Sequence, residues 1–253
     1  MDISAIRQEV ERQVLAYFQT DPAILDSGND IKGTEVIGCM EHSLLNPDTT
    51  LEKIRTECAV ARKYAVAAVC VAPYYVPYAV EILNGSVVKV STAVGFPHGC
   101  MSQAAKIAEL KEAINNGATE IDLAMNNLAI KSGHLDVARR ELEEAARLCL
   151  GKAKLKAVFE HGIFTEDEKY AVLDMLPRAG IEALKIQNML SGHGARVEDV
   201  RLVRSRLGRN MRIKIDGGIK TLEQAEALLH AGADRLGLTA TAKIAEEALS
   251  ARG

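Results

Sequence analysis

Apolar positions along this chain follow two rhythms. Over residues 3–19, Ile6, Val10, Val14 and Phe18 fall four apart, the spacing of one face of an amphipathic helix. A polar stretch containing Asp and Gly, 21–34, then reads as a linker. From Glu35 onward one pattern recurs eight times: a short β-rich run, a loop, then a helical stretch. The strand-like runs are 36–40, 67–71, 87–94, 120–125, 155–160, 183–187, 212–216 and 235–238. Between them lie helical stretches such as 106–116, with Ile107, Leu110 and Ile114 on one face, and 135–150. Thr49 with Glu52, Thr165 with Glu168 and Thr221 with Gln224 have capping-box spacing, and Gly117, Gly180 and Gly232 sit where helices should end.

Eight βα units in about 215 residues, with no return to hairpin signals, predict an α/β fold: a (β/α)8 TIM barrel. The N-terminal helix is an addition to it. Residues 1–34 thus form a helix and linker, and residues 35–253 the barrel domain. An open doubly wound sheet would have fewer strands and a Gly-rich first turn, and no G-x-G-x-x-G follows any strand.

Composition narrows the function classes. Hydrophobic residues make up 48% and charged residues 26% of the 253, so the chain is globular rather than disordered. A net charge of −3 exerts no general pull toward nucleic acid or anionic membrane. Aromatics at 4%, with no Trp, leave no stacking platform for bases. The five cysteines (Cys39, Cys58, Cys70, Cys100 and Cys149) are scattered, without C-x-x-C or Cys/His clusters. Neither a disulfide framework nor a metal or cofactor is therefore indicated. The first residues lack a secretory signal, and the longest uncharged stretch, 64–80, is short and interrupted by Pro73 and Pro77. These features predict a soluble, cytoplasmic protein.

Alternate residues of a barrel strand face the interior. In the fourth to seventh strands the apolar residues take the helix side. That leaves Glu120, Asp122, Ala124 and Asn126, then Lys156, Val158 and Glu160, then Ala183, Lys185 and Gln187, then Arg212, Lys214 and Asp216 pointing inward. Four adjacent strands thus aim ionisable groups at one interior, three of them lysines. Burying charge costs several kcal/mol unless it is compensated. A structural lattice, with Asp122 and Glu160 pairing Lys156 and Lys214, would compensate it. A cluster at the strand ends, where barrel active sites lie, instead points to chemistry.

A lysine beside other cations in a desolvated site loses its proton more readily, and the free amine condenses with a carbonyl to an imine. The protonated imine accepts electrons, so a C–C bond β to the imine carbon can break. Asp122 beside a second lysine can pass protons through water. This is class I aldolase chemistry.

The same residues resemble the deoxyribose-phosphate aldolase family, class I aldolases on a TIM barrel. The markers, running from about Glu41 to Ala242, are Glu41-His42-Ser43-Leu44-Leu45, Ala68-Val69-Cys70-Val71, Val94-Gly95-Phe96-Pro97-His98-Gly99, Glu120-Ile121-Asp122, Leu184-Lys185 and Lys214-Ile215-Asp216-Gly217-Gly218-Ile219-Lys220-Thr221. The resemblance implies Lys185 as the Schiff-base lysine, Lys214 as the cation that keeps it deprotonated, and Asp122 as the relay carboxylate. It implies an electrostatic role for Lys156 and a substrate-facing position for Cys70. Homodimers are common among barrels of this kind, and a homodimer is the expectation here; the N-terminal helix would close the lower end of the barrel or meet a second subunit.

Departures from the family bear on the substrate, a small aldehyde, sugar or sugar phosphate. After the reactive lysine the family usually reads Thr-Ser-Thr-Gly; here it is Ile186-Gln187-Asn188-Met189. The eighth strand ends Gly237-Leu238-Thr239-Ala240, with fewer hydroxyls than usual, and Asp216 replaces the usual small residue before Gly217-Gly218. An added carboxylate repels a phosphate dianion unless Arg212 or Arg235 pairs with it. The altered cup therefore predicts either deoxyribose 5-phosphate or an unphosphorylated or amine-bearing aldehyde as substrate. Glu160 at the strand end and His161, one residue beyond it on the catalytic rim, are candidate substrate-binding residues together with Gln187, Met189, Asp216, Gly217, Gly218, Gly237, Thr239 and Ala240, although a solvated loop histidine is the commoner outcome at such a position. His98 is expected to be structural or exposed. Two alternatives remain: a non-covalent isomerase or synthase using Asp122 and Glu160 as acid and base, and a catalytically silent relative.

Overall fold

The computed structural model describes residues 31–251. The predicted helix over 3–19 and most of the 21–34 linker lie outside the described residues. Eight parallel strands close into a barrel in sequence order: β1 (Met40–Leu44), β2 (Ala68–Val71), β3 (Lys89–Val94), β4 (Glu120–Ala124), β5 (Lys154–Glu160), β6 (Ala183–Gln187), β7 (Arg212–Asp216) and β8 (Arg235–Leu238). The helices are α1 (Leu51–Tyr64), α2 (Val76–Ile82), α3 (Gln103–Asn115), α4 (Asn127–Lys131), α5 (Leu135–Cys149), α6 (Glu166–Arg178), α7 (Val197–Leu207), α8 (Leu222–His230) and α9 (Thr241–Ser250). The fold is the (β/α)8 TIM barrel that the repeated pattern predicts.

The main core is the layer between strands and helices. Ile121, Leu123, Ala157, Phe159, Leu184, Ile186, Ile213 and Ile215 are all buried there, so the apolar half of each alternating strand meets the helices and the polar half is left inward. Helix boundaries follow local chemistry. Thr165 accepts from the Glu168 backbone while Glu168 reaches back to the Thr165 N–H, a complete capping box for α6. Thr221 accepts from Gln224 N, but the Gln224 side chain takes its bond from Lys220 N. At α1 the cap lies one residue later than predicted: Thr50, not Thr49, accepts from Lys53 N.

One strand is displaced from its expected place. The apolar run 36–40 is not β1. Residues Gly33–Cys39 form a 3-10 helix that buries Val36 and Ile37 against α8 and α9. The true strand, Met40–Leu44, carries polar groups on both faces, which hides it from a hydrophobicity reading. Glu41 points into the barrel toward Lys214, while His42 points outward to a 2.6 Å bond with Thr241 and a 3.0 Å contact with Glu57. Asn126, expected inward, instead caps α4 at Ala129 N and donates to Glu141.

A second buried pair anchors the loop after β3. Lys106, on α3, is buried against Glu141 and donates to the Gly99 and Ala124 carbonyls. Gly99 has φ +67°, and a Cβ there would stand 1.7 Å from the Met125 carbonyl oxygen, so no other residue fits this crossing.

Substituting Thr165→Ala should lower stability by about 1 kcal/mol through loss of the α6 cap. Urea unfolding checks this, with an unchanged m-value expected.

Candidate active site

The inward charges converge as the strand alternation predicts, and β1 supplies a further one. Register places Asp122 beside Lys156 and Lys185 beside Lys214, so one acid and three amines gather at one level of four adjacent strands. Asp122 is fully buried and shared by three ammonium groups. Its Oδ1 lies 3.0 Å from Lys156 Nζ, and its Oδ2 lies 2.8 Å from Lys214 Nζ and 3.2 Å from Lys185 Nζ. Glu41 pairs with Lys214 and stands 3.5 Å from Lys156, which also meets Glu120 at 2.6 Å. Glu41 escaped the sequence reading because its strand was placed four residues early.

The electrostatics follow from this crowding. Burial alone would raise the Glu41 carboxyl, but Lys156 and Lys214 outweigh it and hold the group at about 2. Asp122 is likewise held well below the ordinary carboxylate range, burial being overcome by Lys156, Lys214 and Lys185. Burial pushes the Lys214 ammonium down, yet Asp122, Asp216 and Glu41 carry it well above the ordinary lysine value.

Lys185 departs from expectation. Its amine was expected to be deprotonated by desolvation and neighbouring cations. Burial and Lys214 do push it down, but Asp216 and Asp122 overcome them and raise it above the ordinary lysine value. Asp216 Oδ2 is 2.6 Å from Lys185 Nζ, and its Oδ1 is 3.7 Å from Lys214 Nζ. The two arginines considered as partners for Asp216 lie elsewhere: Arg212 binds Asp234 at 2.9 Å and Arg235 faces Glu120 at 3.8 Å, both at the N-terminal end of the barrel. The phosphate-repelling charge is thus neutralised by the lysines. Lys156 and Lys214 both donate aligned hydrogen bonds to Asp122, whereas Lys185 Nζ makes none.

Above this cluster a cavity of about 430 Å³ opens at the C-terminal mouth. Gln187, Met189, Asp216, Gly217, Gly218, Gly237 and Thr239, all candidates from the sequence, line it, and Met189 is half exposed there. Ser43, Phe96, Gly192, Gly194 and Lys220 line it too; the sequence reading gave none of them a role, though Ser43, Phe96 and Lys220 lie in its family markers. Phe96 holds its ring 5.8 Å from Lys185 Nζ. Gly192, Gly194, Gly217 and Gly218 all have positive φ, which turns two loops tightly over the mouth.

Other predicted site residues lie away from the cavity. Glu160 pairs with no lysine; it accepts from Gln187 Nε2 at 2.9 Å and from Leu190 N at 2.8 Å. His161 is not a solvated rim residue. It is buried beside Phe159 with Nδ1 3.4 Å from Asp199, and burial outweighs Asp199 to lower its pKa. Ala240 packs on the core rather than lining the cavity. Cys70 faces the charge cluster beneath the cavity, and burial pushes its thiol up to about 12. His98 is exposed, as expected. Glu41, Cys70 and Asp122 place potential ligand atoms within 4.8 Å of one another. However, Lys156, Lys185 and Lys214 already occupy the carboxylates, so a metal ion would have to displace ammonium groups. No helix among the described residues is long and apolar enough to cross a membrane.

A lysine triad thus surrounds one buried carboxylate beneath a C-terminal cavity of a TIM barrel, and the comparisons put the chain among lyases of the aldolase class. The chain is 38% identical over 210 residues to the deoxyribose-phosphate aldolase of Caldanaerobacter subterraneus subsp. tengcongensis, covering 82% of this chain and 91% of that one. It is 39% identical over 205 residues to the Brevibacillus brevis deoxyribose-phosphate aldolase, covering 81% and 92% respectively. Among solved structures, the aldolase QR15 superposes with a TM-score of 0.81 at 31% identity, covering 86% of this chain and 97% of that one. The deoxyribose phosphate aldolase of Aeropyrum pernix shares the fold at 24% identity, with a TM-score of 0.79 and coverage of 86% and 92%. No protein-family profile matches the chain. The chain belongs to the deoxyribose-phosphate aldolase family.

A carboxyl held below its unfolded-chain value stabilises the fold above that value, and this contribution is lost as pH falls through the folded value. For Glu41 the window runs from 4.5 down to about 2. Stability should therefore fall by on the order of a few kcal/mol across this acid range. Glu41→Gln should lower stability at neutral pH and flatten the decline, as read by urea midpoints from neutral pH down to about pH 3.

Proposed function

We propose that this protein is a class I aldolase that cleaves or forms a C–C bond through an imine on Lys185. The observation that carries the reading is the position of that amine: fully buried under the cavity floor, yet the one lysine of the three without an aligned hydrogen bond. Lys156 and Lys214 are bound to Asp122, so they are fixed as cations, whereas Lys185 is held only by contacts a ligand can displace. Once the imine forms, its protonated nitrogen draws electrons from the neighbouring carbon, and the β C–C bond opens to an enamine. Lys214 and Asp122 lie close enough to Lys185 to pass a proton to or from that carbon, directly or through one water.

The substrate is a 2-deoxyaldose, as the names of the curated relatives suggest for them. The Gly-lined loops, Thr239 and Lys220 at the mouth support an anionic 5-phosphate, through backbone N–H groups and one cation. Pairing of Asp216 with the lysines removes the repulsion that argued against a phosphate. Met189 at the mouth, where the family usually carries polar or small residues, is the observation that speaks for a second, weaker reading, an unphosphorylated aldehyde. Non-covalent isomerisation by Asp122 and Glu160 is the weaker reading, because both Glu160 oxygens are engaged by Gln187 and Leu190.

Lys185→Leu should lower cleavage by on the order of 10³-fold or more, and Lys185→Arg should do the same. Retained activity in the arginine variant would favour the non-covalent reading. Comparing cleavage of 2-deoxyribose 5-phosphate with that of 2-deoxyribose separates the two substrate versions, and the phosphate ester is expected to react faster.

A further inference from the structure

Asp216 stands between the cavity and the buried amine. It lines the cavity wall and touches Lys185, which does not. Its side chain lies across the face of Gly237, where a Cβ would come within 1.5 Å of Asp216 Oδ1. Gly237 therefore makes the room in which this carboxylate sits. Asp216 Oδ2 reaches to 2.6 Å of Lys185 Nζ, while Oδ1 is buried without a hydrogen-bond partner. Asp122, the other carboxylate near Lys185, is farther away at 3.2 Å and already receives aligned hydrogen bonds from Lys156 and Lys214. Of the two acids, Asp216 alone combines contact with the amine, a free oxygen and access to an incoming carbonyl.

Resting on the lyase reading above, we propose that Asp216 is a catalytic residue of this protein, the acid–base group that carries protons during imine formation on Lys185. The resting pair is the Lys185 ammonium and the Asp216 carboxylate. Asp216 takes one proton, leaving a neutral amine and a carboxylic acid. The nitrogen lone pair attacks the carbonyl carbon, the C–O π pair moves to oxygen, and Asp216 returns its proton to that oxygen. Asp216 then removes a proton from the now-cationic nitrogen and delivers it to the hydroxyl, which leaves as water while the nitrogen lone pair closes the C=N bond. Two of the three ammonium protons end in that water and the third stays on the iminium, so no outside acid or base is consumed. The apo contact lacks hydrogen-bond alignment, as catalytic contacts often do before substrate tightens them. Gly237 acts as a positioning residue for this group.

The test follows the growth of the borohydride-trapped adduct on Lys185 by mass spectrometry, with acetaldehyde as the probe. Asp216→Asn should slow adduct formation by roughly 10²-fold at neutral pH, and Asp216→Ala should do so in a way that added formate partly restores. Gly237→Ala, which displaces the carboxylate without altering it, should slow trapping in parallel. Rescue by formate is a readout that a purely structural role would not move. Adduct formation at the wild-type rate in the Asp216 variants, with no response to formate, overturns the assignment while leaving the lysine mechanism intact. A folded wild-type chain that gives no adduct on Lys185 overturns the lyase reading and this assignment with it.

Discussion

One carboxylate holds the interior of this barrel together. Asp122 faces Lys156, Lys185 and Lys214 at 2.8–3.2 Å, and it is the one carboxylate within ion-pair distance of all three ammonium groups. Burying a charge is tolerable when partners and hydrogen bonds replace water, and here the compensation comes from four strands at once. Glu41 and Glu120 add negative charge toward the lower barrel, while Asp216 adds it toward the mouth. The charge lattice expected as the alternative to chemistry and the reactive centre proposed above are therefore the same object. The lattice fixes two lysines as cations, and the third is left within reach of the cavity.

Asp216 changes how such a centre can operate. A neighbouring cation and desolvation favour a free amine, but a carboxylate at 2.6 Å favours the ammonium, and at Lys185 the carboxylates prevail. On the imine mechanism proposed above, a nucleophile stored as an ion pair needs a group that can take its proton when substrate arrives. The same carboxylate that stores the proton is placed to move it. This resolves the conflict between an amine that must be free to react and a buried site that prefers it charged.

Much of the architecture and the centre was legible in residue order. Period-2 alternation in the fourth to seventh strands put Asp122, Lys156, Lys185 and Lys214 inward, because their apolar neighbours Ile121, Ala157, Ile186 and Ile215 had to meet helices. β1 was not legible, since polar side chains on both of its faces find partners only in other elements: Glu41 in Lys214, and His42 in Thr241 and Glu57. The apolar run just before it satisfied the strand pattern equally well, yet it packs as a 3-10 helix against α8 and α9.

The sequence by itself determined the eightfold repeat, the side of each central strand that carries charge, and the family, because these depend on local periodicity and motifs. Tertiary structure alone decided the pairings. Barrel stagger brought Asp216 to Lys185 rather than to Arg212 or Arg235, which stand at the N-terminal ends of β7 and β8. Strand register set Glu160 beside Gln187, while the loops after β5 and β6 brought His161 to Asp199 and Leu190 N to Glu160, and no spacing along the chain encodes these contacts. Side-chain direction follows from a two-residue period, but the partner a charge meets is set by distance across a closed sheet.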